Sequence, residues 1–419
     1  MSGVAGLRGT GDWGTDERPK DFRNMIQRID PNGMTPIFGL TSKAGKKSVS
    51  DPEFKFWVET SGHVKLQVAG ALVSGDTTVT VDSADPSASD MTLQYGTATN
   101  LKPGDLLMVE PSSDSTTYNP EVVRVNSVIS DTQFTVSRGA AGSSAAAIDD
   151  NAYLTLVGSA YAEGGTAPNA ASRNPAQFYN YTQIFKDTYE ITGTADQTDA
   201  RTGSAWSNDK KRKQFDHARD IEMAFLFGRR SETAASAENG KPLRTMGGLL
   251  QTIPTSRKTV FAGDVTFEPG PNNFLDAVYQ VFNYSSPAGD ERIAFCGNAA
   301  INALQKAAAG QTNVRINSDK VLKVYGTDFR EFIMPQGKLL WKTHPLLNIM
   351  GGIYSKSMVI LDFSAIKYVY MKGRDTKAFD DVQAKDEDVR RGYFQTECSM
   401  MLDYGGVTCA YLGNITQSV

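Results

Sequence analysis

Residues 206–230 read WSNDKKRKQFDHARDIEMAFLFGRR, the clearest helix in the chain. Phe215, Ala218, Ile221, Phe225 and Leu226 recur at three- and four-residue steps and form one apolar stripe. Ser207 is placed to cap the N-terminus. At 1.5 Å per residue such a helix runs roughly 35–40 Å, long for an ordinary globular domain. His217, within it, is expected as a partly exposed helix residue. Lys210, Lys211, Arg212 and Lys213 fall in the first turns, where cations oppose the helix dipole at a cost of roughly a few tenths of a kcal/mol each. Three readings of that run stay open. It is a solvated face, or acids from elsewhere, such as a neighbouring subunit, compensate it, or, ranked last, it binds DNA; it is short and has no interleaved aromatics.

Outward from the helix the pattern is mixed. Phe178 to Thr194 reads as an extended pair of strands. Asn272–Asn283 and Asn298–Ala309 read as helices flanking a buried strand, Arg292–Phe295. Val321–Tyr325, Lys338–Thr343, Met358–Leu361 and Ile366–Tyr370 read as strands. Tyr393–Leu412 reads as a long strand pair bent at Gly405-Gly406. The fold class is α+β, with no internal repeat of solenoid or propeller type.

Two stretches differ from this body. Residues 1–48 carry turn signals at Asp30-Pro31-Asn32-Gly33 and Thr35-Pro36. They suggest an extended arm anchored by Phe22, Met25, Ile26, Ile37 and Phe38. Residues 64–158 hold short strand-like runs, Thr77–Val81, Leu106–Val109, Glu121–Val125 and Gln133–Val136, separated by Asp, Ser, Gly and Pro clusters. Lys and Arg nearly vanish there while Asp stays common. That pattern is a small acidic all-β domain, barrel or sandwich.

Composition sets outer limits. The 419 residues are 40% hydrophobic and 21% charged, enough for a real core and against a disordered chain. The net charge of −4 gives no global basic field to hold nucleic acid. Cys296, Cys398 and Cys409 are far apart and lack zinc or disulfide spacing, so they read as buried reduced thiols. No signal-peptide core and no membrane-span run is present.

Catalytic patterns are missing too. His63, His217 and His344 show no metal-ligand spacing, and His344 before Pro345 is expected to shape a turn. No nucleophile elbow or phosphate-binding loop occurs; Gly247-Gly248 and Gly351-Gly352 read as turns. Asp386-Glu387-Asp388 reads as solvated or ion-paired loop acids rather than metal ligands. No acid, base and nucleophile set can be assembled, so no enzyme activity, cofactor or metal is expected.

A resemblance becomes visible across the flanks of the helix. Asn180-Tyr181-Thr182-Gln183-Ile184-Phe185 precedes Ile191-Thr192-Gly193-Thr194-Ala195. Then come Arg219-Asp220-Ile221-Glu222-Met223-Ala224 and Arg244-Thr245-Met246-Gly247-Gly248-Leu249. This order resembles tailed-phage major capsid proteins of the Johnson fold, the Hong Kong 97 type. Met34-Thr35-Pro36-Ile37 resembles their N-terminal arm. Phe54-Lys55-Phe56-Trp57-Val58-Glu59 and Ala162-Glu163-Gly164 resemble the two sides of their extended loop. The stretch 64–158 departs from the family by interrupting that loop.

The resemblance implies an arm at 1–48, an extended loop at 49–63 and 159–190, and an inserted all-β domain at 64–158. It implies a peripheral domain at 191–260 and 385–419 with a spine helix at 206–230, and an axial domain at 261–384. It further implies self-assembly into hexamers and pentamers of an icosahedral virion head made in the host cytoplasm. That head encloses double-stranded DNA without sequence-specific binding. Scaffolding, portal and decoration proteins are candidate partners, and no membrane is involved. Subunit contacts are expected at Phe22, Ile26, Ile37, Phe38, Lys210, Lys211, Arg212 and Lys213. Two competing readings are an encapsulin-like cellular compartment and a phage tail or baseplate adhesion protein.

Overall fold

A computed structural model describes residues 35–41, 45–59, 65–82, 98–110, 120–165, 175–198, 203–234, 239–287, 289–309, 321–324 and 327–418. Phe22, Met25, Ile26 and His63 lie outside the described residues.

The long helix spans Ala205–Phe227. Its N-cap is Ser204, three residues before the expected Ser207: the Ser204 side chain accepts from the Ser207 N–H. Ile221, Phe225 and Leu226 are fully buried. They pack on a five-stranded sheet in which Gly45–Val49, Ile366–Met371, Val389–Leu402 and Gln183–Thr192 lie side by side, with Lys377–Phe379 also paired to Val389–Leu402. The apolar stripe breaks at Phe215, which is 58% exposed. On that turn the buried position belongs instead to His217, 3% exposed and so not the partly exposed residue expected.

A seven-stranded sheet forms the second layer. Its order is Lys258–Val260, Ala410–Gly413, Met358–Leu361, Glu291–Cys296, Gly337–Thr343, Thr327–Met334 and Val321–Val324. The strand Glu291–Cys296 is buried at five consecutive positions, as a central strand covered on both faces must be. The helices Phe274–Val278 and Asn298–Ala309 share an apolar core with this sheet. Ile293, Phe295, Leu340, Val359 and Leu361 reach into the core under the long helix, so the two sheets share one interior.

Two strand assignments need correction. Ala176–Tyr181 and Gln183–Thr192 do not pair with each other. The first pairs with Glu53–Val58 in a two-stranded ribbon, and the second joins Val389–Leu402. Likewise Val389–Leu402 and Ala410–Gly413 enter different sheets. Tyr404, Gly405 and Gly406 all take positive φ, and this left-handed turn redirects the chain from one sheet to the other.

Residues 65–159 form a six-stranded barrel in the order Lys65–Gln67, Tyr153–Ser159, Asp105–Val109, Val122–Val128, Gln133–Ala140 and Thr78–Thr80. The first and last strands close the ring through the Val68–Val81 bridge, Ala69 N–H to the Thr80 carbonyl at 2.9 Å, and Asp82 N–H to the Gln67 carbonyl at 3.0 Å. Alternation sends Leu66, Val79, Leu107, Val123, Val125, Phe134, Val136 and Leu154 inward. A barrel this narrow is filled by its own side chains.

The described C-terminal part of the expected arm docks on the body of its own subunit. Pro36–Thr41 is a short helix and Gly45–Val49 an edge strand of the five-stranded sheet, so both belong to the body. Ile37 has no exposed surface and cannot contact a neighbouring subunit; it lies in the core under the long helix. Phe38 is partly buried, its ring about 6 Å from those of Phe225 and Tyr368. Cys296, Cys398 and Cys409 are free and buried. Among the described residues no helix is long and apolar enough to cross a membrane.

Candidate functional site

The sequence blocks on either side of the long helix meet in space. Asn180 is buried at the end of its strand. Its side-chain nitrogen donates to the carbonyls of Gly247 (3.0 Å) and Met400 (2.9 Å), and its oxygen accepts from the Gly247 N–H (2.8 Å). Gln183 accepts from the Met246 N–H at 3.1 Å. The block Met246-Gly247-Gly248 is thereby pinned under the C-terminus of the helix. Gly248 sits so close that an added Cβ would meet the Ala224 carbonyl oxygen at 2.6 Å and the Phe225 carbonyl oxygen at 2.8 Å. Gly248 is a backbone-to-backbone contact rather than a free turn, while Gly247 lies against the side chains of Gln251, Arg230 and Asn180.

Glu222 forms the second junction. It is fully buried on the apolar side of the helix. Its carboxylate accepts from the N–H groups of Ile37 (2.9 Å) and Phe38 (2.6 Å), the orphan donors at the start of the Pro36–Thr41 helix. It also meets Nε2 of His344 at 2.8 Å. His344 does more than shape a turn. Its Nδ1 accepts from the Leu346 N–H and caps the Pro345–Met350 helix, which leaves Nε2–H to donate to Glu222. One carboxylate thus ties the N-terminal helix, the long helix and the Pro345–Met350 helix together.

His217 makes a third junction. Nδ1 faces Asp187 at 2.6 Å and Nε2 faces the Thr396 hydroxyl at 2.7 Å. The order carboxylate, imidazole, hydroxyl is that of a nucleophilic triad. Thr396 is fully buried and its hydroxyl donates to Thr376 at 2.8 Å, so no substrate can reach it. The set holds helix to sheet.

The basic run of the helix finds acids within its own subunit. Lys210 pairs with Asp380 at 2.5 Å, Arg212 with Asp209 at 3.5 Å and Lys213 with Asp216 at 3.8 Å. Lys211 is exposed. In the Asp386-Glu387-Asp388 loop, Glu387 pairs with Arg391 at 3.3 Å. Among the described residues no group of three or more His, Cys, Asp or Glu side chains is arranged to hold a metal ion.

The barrel has its own polar centre. Glu121 and Arg138, with side chains 3% and 5% exposed, form a two-pronged pair at 2.7 Å on both arms. Glu121 also accepts from the N–H groups of Gly139 and Ala146, and Arg138 donates to the carbonyls of Val73, Asp76 and Ala146. Burial pushes the Glu121 carboxyl up, but the bonds from Arg138, Ala146 and Gly139 outweigh it and hold the group below the ordinary carboxylate value. Charge is unevenly divided between barrel and body. Residues 64–158 contain eleven acids and four bases, a net −7, which leaves +3 on the rest of a −4 chain.

Comparison with known proteins places these features. The SU10 major capsid protein family matches residues 6–413. A major capsid protein of Pseudomonas phage PaMx41 is 27% identical over 366 residues, covering 85% of this chain and 80% of that protein. Among solved structures, similarity extends to Mycobacterium phage Bobi, with TM-score 0.44, 7% identity and 96% of each chain covered. It extends also to the SrpI encapsulin of Synechococcus elongatus PCC 7942, with TM-score 0.39, 10% identity, and 59% of this chain and 79% of that one covered. With the family spanning nearly its whole length, the chain belongs to the SU10 major capsid protein family and is a phage major capsid protein.

Proposed function

We propose that this chain builds hexamers and pentamers of an icosahedral head around double-stranded DNA, with its barrel on the outer face. The observation that carries the placement is the charge division, −7 on residues 64–158 against +3 on the remainder. An inward barrel would set negative charge against DNA phosphates, which repel it. Outward, the same charge keeps particles apart in solution. In this reading the ribbon of Glu53–Val58 and Ala176–Tyr181 belongs to the extended loop. The long helix and five-stranded sheet form the peripheral domain. The seven-stranded sheet, with Ala410–Gly413 added to residues 261–384, forms the axial domain. The head assembles in the host cytoplasm, with scaffolding and portal proteins as partners, and the subunit performs no catalysis.

Capsomer contacts would cover apolar side chains that the single subunit leaves in water. Val260 and Ile333, 65% and 64% exposed on the seven-stranded sheet, are the leading candidates. From the expected contact residues, Phe22, Ile26, Phe38 and Lys211 remain. The barrel also exposes Val73, Ile129 and Val157, which favours a role in clamping neighbouring subunits over that of a passive bump.

Replacing residues 66–156 with a short Gly/Ser linker tests both ideas. Shells from that chain should form and lose thermal and osmotic resistance. Unchanged resistance rules out clamping. A particle map with the barrel on the inner wall rules out the placement, and purified shells filled with cargo enzyme instead of DNA would favour a compartment over a virion.

A further inference from the structure

A cleft of about 540 Å³ lies where the two-stranded ribbon meets the body, beside the Asn180–Gly247 junction, and no role described above uses it. The ribbon contributes Phe56, Phe178 and Tyr179 to its walls, and the body contributes Thr255, Lys258 and Met400. The rings of Phe56 and Phe178 stack with their centres 5.5 Å apart. The Arg230 guanidinium lies 3.7 Å from the centre of the Tyr179 ring and donates to the Tyr179 carbonyl at 2.6 Å, which fixes it at the cleft. Arg230 is exposed and makes no ion pair among the described residues. Two bases, Arg230 and Lys258, line the cleft, and no acid is among its described lining residues. The volume falls within the roughly 300–1,000 Å³ of sites that bind a partner group. Such a cleft suits a large apolar side chain with a carboxylate beside it.

The acidic barrel offers that chemistry. Val73, Ile129 and Val157 stand exposed on it. Val157 lies within the wall strand Tyr153–Ser159. The acid closest in sequence to Val73 is Asp76, whose carboxylate is already bonded to the Val73 N–H at 2.8 Å. Ile129 differs. It sits at the tip of the hairpin between Val122–Val128 and Gln133–Ala140. The N–H groups of Ile129 and Ser130 both donate to the Gln133 carbonyl, at 2.9 and 3.0 Å, and fold the tip tightly. Asp131 is exposed two residues on, and its carboxylate has no bonded partner among the described residues. No Lys or Arg occurs between Arg124 and Arg138. The tip therefore presents one apolar side chain and one uncompensated carboxylate together.

We propose that the Ile129–Asp131 tip of one subunit's barrel docks in this cleft of a second copy, with Ile129 against Phe56, Phe178 and Tyr179, and Asp131 against Arg230 and Lys258. The occupant is another copy because no described barrel residue lines the cleft of its own subunit, and Ile129 stays exposed there. Opposite charges meet in the pairing, an acidic module on a cleft lined only by bases, which fixes its register and disfavours other partners. Each subunit gives one tip and accepts one. A contact of this heterologous kind closes into a ring instead of stopping at a pair. The inference rests on the capsid reading and deepens the clamp by naming its two halves.

The experiment introduces Ser130→Cys with Thr255→Cys into the full chain, and as a control Ser130→Cys with Gln305→Cys on the Asn298–Ala309 helix. All three positions are exposed, so the fold tolerates the changes, and the native cysteines are buried and do not compete. Purified shells are oxidised mildly and run on a denaturing, non-reducing gel. The cleft pair should give a ladder of linked dimers and higher rungs, at least ten times more abundant than in the control pair. Adding Asp131→Arg should reduce the ladder several-fold, and adding Arg230→Asp to that chain should restore it. A fast-migrating, internally bridged monomer would place the tip in its own subunit's cleft and overturn the proposal. So would no bond above the control, or a ladder indifferent to the charge at 131. Electron microscopy of the same preparations and of the native chain keeps the two readings apart: shells without the ladder sink the docking alone, whereas a soluble native chain that forms no shells sinks the capsid reading.

Discussion

Glu222→Ala should destabilise the body by about 3–5 kcal/mol, which is the range for removing one partner of a buried charged hydrogen-bonded set. Three donors lose their acceptor at once: Ile37 N–H, Phe38 N–H and His344 Nε2–H. Ile37 N–H and His344 Nε2–H cannot turn to water, because Glu222, Ile37 and His344 are fully buried. The midpoint of thermal unfolding of the body should fall by roughly 6–15 °C. Protease cleavage at Phe38 should accelerate, since the Pro36–Thr41 helix loses its cap and its tether together. Glu222→Gln keeps one acceptor and should lose less. An alanine variant that melts within 1 °C of the native chain and resists cleavage at Phe38 would show that the carboxylate is dispensable.

Arg138→Ala should act on the barrel alone. Its apolar core is separate from the cores of the body, so damage there stays there. Removal strands the Glu121 carboxylate inside the barrel and frees the loops whose carbonyls Arg138 held, again costing about 3–5 kcal/mol. For a domain of this size the barrel's melting midpoint should drop by roughly 15–30 °C. Digestion should then cut within 65–159 and spare the body. The same pair sets a pH dependence. The folded Glu121 carboxyl titrates below its unfolded value, so its contribution is complete above the ordinary carboxylate range. It is lost as pH falls through the lowered value. Barrel melting followed from pH 7 to pH 3 should decline at the acidic end, and Glu121→Gln should flatten that decline. A native profile with no acidic decline would contradict the assignment.

Local pattern made some of this molecule readable. Ile221, Phe225 and Leu226 repeat with the helical period and are buried. Val123 and Val125 alternate with polar residues and point into the barrel. What stayed hidden depends on partners far along the chain. Glu222, a charged residue on an apolar face, gives no local sign of the Ile37 N–H 185 residues away or of His344 122 residues away. His217 looks like a surface residue until Asp187 and Thr396 are brought to it. Phe215 continues the stripe in period, but periodicity cannot say that more than half of its side chain stays exposed. The strand pairings failed for the same reason. Neighbours in sequence, Ala176–Tyr181 and Gln183–Thr192, found distant partners instead.

The three thiols bear on how a shell ages. A virion is built in a reducing cell and then waits, without repair, in oxidising surroundings. Many copies stand side by side, so one accessible cysteine per subunit would be enough to stitch or poison the lattice over time. Cys296, Cys398 and Cys409 are fully buried. Burial pushes each thiol well above its ordinary value, that of Cys409 up to about 12. The reactive thiolate is therefore scarce as well as screened from oxidants. Chemical durability outside the host is thus settled when the subunit folds, before any shell exists.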